Sequence, residues 1–175
     1  MARYADGDAA AFAELYELVA PRLYGYLLRR TRDADAAQDL LQQTLLVVHR
    51  ARASYSRSAG VMPWVFTIAR RLVIDRVRNA RRDPLRTDDS GLLALPSKAE
   101  RADELVDAHE LAARLEAALA DLPEAQRLVF ELVKRRGLSL GEAAGVLQIT
   151  VGAVKLRLHR GHQSLRAALR RRRET

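Results

Sequence analysis

LPEAQRLVFELVKRRGLSLGEAAGVLQITVGAVKLRLHRGHQSLRAAL, residues 122–169, is punctuated at every corner. Gly137 marks the end of one helix. Ser139 and Glu142 then form the S-x-x-E pattern of a capping box, in which hydroxyl and carboxylate each serve an orphan amide, and they open a short helix through Leu147. Gln148 and Ile149 make a turn, and Thr150 is placed to cap a second, longer helix. On that helix Val154, Leu158, Gly161 and Leu165 recur at helical spacing, so this side packs inward. Lys155, Leu156, His159, Arg160 and Gln163 take the outer side. The pattern predicts a helix-turn-helix. A basic outer face on its second helix suits the major groove, where Arg and Lys meet guanine edges and phosphates.

Upstream of this stretch, apolar periodicity predicts helices only. Ala9, Phe12, Tyr16 and Val19 mark a first helix capped by Asp8. Pro21 sits where a second can begin, with Leu23, Tyr26 and Leu27 as its apolar stripe, and Thr31–Asp35 breaks it. A third runs from about Asp35 to Arg52. Residues 53–62 read as a loop through their small and polar residues and Gly60. Pro63 starts a fourth helix, which continues to Arg82. Between Asp83 and Ala108 the periodicity lapses into a stretch holding Pro84, Gly91, Pro96 and many acids, the composition of a flexible linker. Leu92, Leu93 and Leu95 form an apolar island inside it, a candidate contact point. A helical stripe restarts from Glu110, and the last residues, RRRRET, read as a solvated end. The expected fold is all-α: two helical domains, 1–82 and 111–175, joined by a flexible acidic linker, 83–110.

Charge follows the same division. Residues 1–82 carry fourteen basic against eight acidic side chains, 83–110 three against eight, and 111–175 thirteen against six, within a total of +8. Two basic blocks around an acidic connector point to two modules that face nucleic acid. With no cysteine, disulfides and thiolate metal sites are excluded. There is no long apolar run, no signal-peptide pattern and no glycine-rich phosphate loop. The expectation is a cytoplasmic protein with no membrane insertion, no cofactor, no bound metal and no small-molecule substrate. The first helix lies so near Met1 that a native start farther upstream is left open.

Two helices carry outward faces of distinct chemistry. On the third, Ala37, Leu41, Thr44, Leu45 and Val48 share the packed side, while Asp39, Gln42, Gln43, Leu46 and Arg50 lie opposite. An apolar residue ringed by hydrogen-bonding groups is the composition of a protein interface. On the fourth, Val65, Ile68, Ala69, Leu72 and Val73 pack inward. Thr67, Arg70, Arg71, Arg78 and Arg81 collect on the other side, where arginines attract phosphate without reading sequence. Trp64, at the helix start, fits a core or wedge position better than a stacking platform.

These blocks resemble an RNA polymerase sigma factor of the extracytoplasmic-function group. The matching strings are GDAAAFAELYELVAPRLYGYLLRR, DADAAQDLLQQTLLVVHRA and PWVFTIARRLVIDRVRNARR in the first block, and LPEAQRLVFELV, GLSLGEAAGVL and VGAVKLRLHRG in the second. Their order and spacing carry the resemblance. The chain departs from the family pattern at Gln38 and Gln43, where Glu is usual, and near Leu45, where an aromatic is usual. It departs again at His49 (usually Trp), Arg71 (commonly Asn) and Leu156 (commonly small and polar).

The resemblance implies a dissociable initiation subunit whose partners are core RNA polymerase, promoter DNA and an anti-sigma factor. By it, Asp39, Gln42, Gln43, Leu46 and Arg50 grip the clamp of the polymerase's largest subunit. Tyr55, Arg57, Trp64, Thr67, Arg70, Arg71 and Arg78 bind the non-template strand of the minus-ten element and hold a flipped base. Capturing an unstacked base offsets a few kcal/mol of unpairing, which couples melting to recognition. Thr150, Val151, Lys155, Leu156, Arg157, His159 and Arg160 read the minus-thirty-five element as duplex, with Thr150 and Val151 near phosphate or a thymine methyl group. The acidic linker passes near the RNA exit path.

Rival readings explain less. His159 and His162 stand three apart, but no acidic or Cys partner is near in sequence to complete a metal site, and no nucleophile–base pair is evident. Asp75, within the arginine-rich helix, reads as an ion-pair partner. A free-standing helix-turn-helix regulator of duplex operators would account for residues 112–170 and leave the first 82 without a use.

Overall fold

A computed structural model describes residues 1–57, 60–82 and 105–171. Among these residues every regular element is helical: α1 (Ala2–Ala5), α2 (Ala11–Thr31), α3 (Ala34–Ala51), α4 (Val61–Arg82), α5 (Leu105–Ala120), α6 (Glu124–Phe130), α7 (Leu140–Leu147) and α8 (Val151–Arg171). A 3-10 turn, Arg52–Ser54, follows α3, and a wider π turn, Glu131–Arg135, continues α6. The chain divides into two compact units, one with α1 to α4 and one with α5, α6, α8 and most of α7. Most of the expected linker, including Leu92, Leu93 and Leu95, lies outside the described residues, as do Ser58 and Ala59 of the loop and residues 172–175.

In the first unit α2 packs on α3 and α4, and α3 packs on α4. The break expected at Pro21 is absent: α2 is one helix that runs through it. An interior proline costs roughly 3 kcal/mol. Against that, α2 buries Leu15, Val19, Leu23, Tyr26 and Leu27 along one stripe. At about 1.5–3 kcal/mol for each large apolar side chain, a continuous stripe outweighs the proline several times over. Pro21 itself faces solvent. The true break comes at Arg32, whose φ of 57° ends α2 with its amide on the Leu28 carbonyl at 2.8 Å. Asp33 then caps α3, its carboxylate accepting from the amides of Asp35 and Ala36. Thr44, fully buried within α3, satisfies its hydroxyl on the Leu40 carbonyl at 2.6 Å.

Residues ahead of α2 form a strap that the sequence pattern does not reveal. Tyr4 of α1 is buried, with its ring 5.3 Å from Phe12 and its hydroxyl hydrogen-bonded to Nδ1 of His49. Arg52 lies over the Tyr4 ring at 5.9 Å. Arg3 reaches both Asp8 at 2.8 Å and Glu14 at 3.0 Å. Its guanidinium holds the Asp8 carboxyl below the ordinary carboxylate range. Asp8 also accepts the Ala11 amide at 3.3 Å, but α2 begins only at Ala11, behind Ala10 and without a side-chain cap, so the cap expected of Asp8 does not form.

The second unit stacks α5 and α6 on α8. Ala118, Leu119, Leu122 and Leu165 form a buried cluster, with Leu115, Phe130 and Ala168 packed against it. The helix expected from Glu110 begins at Leu105, so the last residues assigned to the linker are helical. Arg127 hydrogen-bonds the Ala120 carbonyl at 2.8 Å, placing a cation at the negative end of α5. After α6 the π turn brings Arg136 onto Glu131, with Nε–Oε1 at 2.7 Å, and Arg135 onto both Glu131 and Glu116. Glu131 is buried, so taking away its arginine partner would strand its charge at a cost of about 3–5 kcal/mol, which ties the turn to this pairing. Gly137, at φ 74°, then closes the helix, and the Leu138 amide reaches the Leu132 carbonyl at 3.0 Å.

Gly161 is buried where α8 passes α6, yet a methyl group there would meet Gln126 Cβ and Leu122 Cδ1 at 3.8 Å, ordinary contact distances. Gly161→Ala should therefore stabilise the second unit by about 0.5–1 kcal/mol, the backbone-entropy difference in a helix interior. Urea unfolding should show the higher midpoint. A lower one would mean that α6 and α8 approach more closely than these distances allow.

Candidate polymerase and nucleic-acid interfaces

On α3 the two faces separate cleanly. Ala36, Ala37, Leu40, Leu41, Thr44, Leu45 and Val48 are buried. Asp39, Gln42, Gln43, Leu46 and Arg50 are all exposed, and Leu46 leaves 47 % of its surface open. A leucine at that exposure, one turn from two amides and two turns from an acid, offers apolar area to a partner while the polar rim fixes direction.

The loop and α4 bring some of the expected strand-binding residues together. Tyr55 and Trp64 are half-buried, with ring centroids 5.1 Å apart and planes at 58°. Trp64 therefore works as a pair with Tyr55 at the foot of α4. Thr67 turns its hydroxyl back onto the Pro63 carbonyl at 2.7 Å, so its oxygen is left with acceptor capacity. Arg70 is half-buried, whereas Arg71 and Arg78 are exposed on one line two turns apart. Arg57 is exposed and paired with Asp6 of the strap. Phe66, three residues before Ala69 and seven before Val73 on the packed stripe, is fully buried and meets Tyr26 edge-on at 5.3 Å, anchoring α4 behind this face, whereas Ile68 and Leu72, expected inward, are half-buried.

In the second unit the predicted punctuation is present atom for atom. The Ser139 amide donates to Glu142 Oε2 at 2.8 Å and the Glu142 amide to Ser139 Oγ at 3.2 Å. Gln148 takes φ 56° in the turn. Thr150 Oγ1 accepts the Ala153 amide at 3.1 Å, so its side chain is committed to starting α8. Val154, Gly161 and Leu165 are buried, and Leu158 is partly buried. Val151, Lys155, Leu156, His159 and Arg160 are exposed, while Arg157 is half-buried on the flank. Gly152, which amphipathic periodicity passes over, lies among the exposed residues of the first turn; the signal for it is its place four residues before Leu156.

His159 and His162 diverge in role. His162 is partly buried, with its ring edge-on to Phe130 at 5.8 Å. Burial first, then the charges of Lys134, Arg166 and His159, lowers its pKa below the ordinary histidine value. Among the described residues no three His, Cys, Asp or Glu gather in a way that holds a metal. A depressed histidine favours the neutral folded form. The second unit should thus lose stability as pH falls below about 6.5, the ordinary value at which the unfolded chain takes up the proton. Melting curves of wild type and His162→Gln between neutral and mildly acid pH check this. The variant should show a flatter acid limb, and parallel curves would remove His162 as the cause.

Comparison with known proteins agrees with this layout. Residues 15–83 match the family model of sigma-70 region 2, and residues 112–165 match that of sigma-70 region 4. The chain is 37 % identical over 174 residues to the ECF RNA polymerase sigma factor SigF of Caulobacter vibrioides, covering 98 % of this chain and 92 % of that protein. It is 34 % identical over 170 residues to the RNA polymerase sigma factor CarQ of Myxococcus xanthus, covering 97 % and 95 %. The fold superposes with a TM-score of 0.72 on the sigma factor RpoE of Bartonella quintana, solved in complex with the anti-sigma factor NepR, at 24 % identity and covering 91 % of this chain and 97 % of that one. No described helix is long and apolar enough to cross a membrane. The chain belongs to the extracytoplasmic-function group of the sigma-70 family, dissociable initiation subunits that bring core RNA polymerase to promoters.

Proposed function

We propose that the three exposed faces divide the work of initiation among them. The α3 face, Asp39, Gln42, Gln43, Leu46 and Arg50, docks on core polymerase. Tyr55, Arg57, Trp64, Thr67, Arg70, Arg71 and Arg78 take the opened strand of the minus-ten element. The arginines hold its phosphates, and the Tyr55–Trp64 pair forms the wall against which an unstacked base is held. Thr150, Val151, Lys155, Leu156, Arg157, His159 and Arg160 place α8 in the major groove of the minus-thirty-five element, Arg157 on the phosphate side. Residues 83–110 act as the acidic connector between the two domains, 1–82 and 111–175. The phosphodiester chemistry belongs to the polymerase, and the chain acts beside it in the cytoplasm. An anti-sigma factor that covers the polymerase or DNA face is the regulator this arrangement fits.

The observation that carries the reading is the coexistence, in one chain and in family order, of an interface helix, an arginine helix and a basic helix-turn-helix. Run-off transcription with sigma-free core polymerase on a pool of genomic promoters tests it. Discrete start sites that depend on the chain are expected. Tight duplex binding by the chain alone, with no core binding and no transcription, would instead make it a free-standing regulator.

A further inference from the structure

Leu156 lies on the outward side of α8, opposite the buried Val154, Gly161 and Leu165, and 48 % of its surface is open. Around it stand the exposed Lys155, His159 and Arg160. Lys155 and Arg160 bring the helix to the groove by their charge and can meet phosphates or guanine edges there, but a leucine has no donor or acceptor to offer a base. The feature of a base edge in the major groove that an aliphatic side chain can recognise is the 5-methyl group of thymine. One turn earlier stands Gly152, and the fold does not ask for glycine there. Its φ is ordinary for a helix, and an added Cβ would meet nothing closer than Thr150 Oγ1 at 3.8 Å. Glycine lowers helix stability relative to alanine, so its presence on the outward side leaves room for something that approaches from outside.

We propose that Leu156, with the space left by Gly152, seats the methyl group of one thymine in the minus-thirty-five element, so that this chain selects that base by an apolar contact. The inference rests on the assignment of α8 to the groove, and the experiment separates the two. The upstream element is first defined by chain-dependent run-off transcription. Each thymine in it, on either strand, is then replaced in turn by deoxyuridine, which removes the methyl and leaves pairing and hydrogen bonds intact. Open-complex formation by the reconstituted holoenzyme should fall by about fourfold at one position, the size of removing one methyl from an apolar environment. Leu156→Ser should be indifferent to uracil at that position. Gly152→Ala should melt no lower than wild type yet initiate less well from the same promoter.

Uracil without effect at every position, or an element with no thymine, would overturn the methyl contact, provided that the element is still required and Lys155→Ala with Arg160→Ala still impairs its use. Initiation indifferent both to the element's sequence and to those two cations would overturn the placement of α8 itself, and the methyl contact with it.

Discussion

Asp39→Arg combined with Leu46→Ser should leave the chain folded and helical while its affinity for core polymerase falls by about a hundredfold or more. Both side chains are exposed on α3, so neither substitution opens a cavity, and the buried row from Ala36 to Val48 is untouched. With about half of Leu46 still open, its loss at an interface would cost about 1 kcal/mol of apolar burial, and reversing the charge of Asp39, worth several kcal/mol where like charges then meet, turns a favourable potential against the partner. Fluorescence anisotropy of the labelled chain titrated with core polymerase measures the loss, and far-ultraviolet circular dichroism controls for folding. Unchanged affinity would remove this face of α3 from the polymerase interface.

Lys155→Ala with Arg160→Ala should act at the other end. Each side chain that reads a base contributes about 1–3 kcal/mol of discrimination, so the pair should lower specific initiation by about a hundredfold. Binding to core polymerase should be unaffected, because these residues lie in the other unit. The salt dependence of promoter binding should also become shallower, by about one unit of slope for each phosphate no longer neutralised. Loss of core binding together with initiation would show that the substitutions unfold the chain.

Much of this architecture can be read because its signals are local. The Ser139–Glu142 box spans three residues, Thr150 caps within three, and Gly137 ends a helix by its own φ. The buried face of α3 follows from periodicity, since a helix repeats its geometry whatever it packs against. What periodicity misses depends on partners distant in sequence. Pro21 is overridden by a stripe that packs on α3 and α4, and Tyr4 is placed by His49, forty-five residues away. The π turn at Glu131 is closed by Arg135 and Arg136, whose charges read in sequence as surface ones. Among the candidate contact residues, exposure can be anticipated from the pattern. The engagement of Arg57 with Asp6 and of Tyr55 with Trp64 cannot.

The burial of Glu131 with Arg136 separates two responses of the same module to ionic strength. With α8 on DNA as proposed, ions would compete for phosphate with its open cations, so attachment should weaken steeply between about 50 and 200 mM salt. The same ions screen a buried pair far less, so the turn that sets the helix-turn-helix stays closed. Added salt is therefore a release lever without being a denaturant. Loaded with core polymerase on an immobilised promoter and washed off at high salt, the protein should emerge folded and bind again with core once the salt is removed.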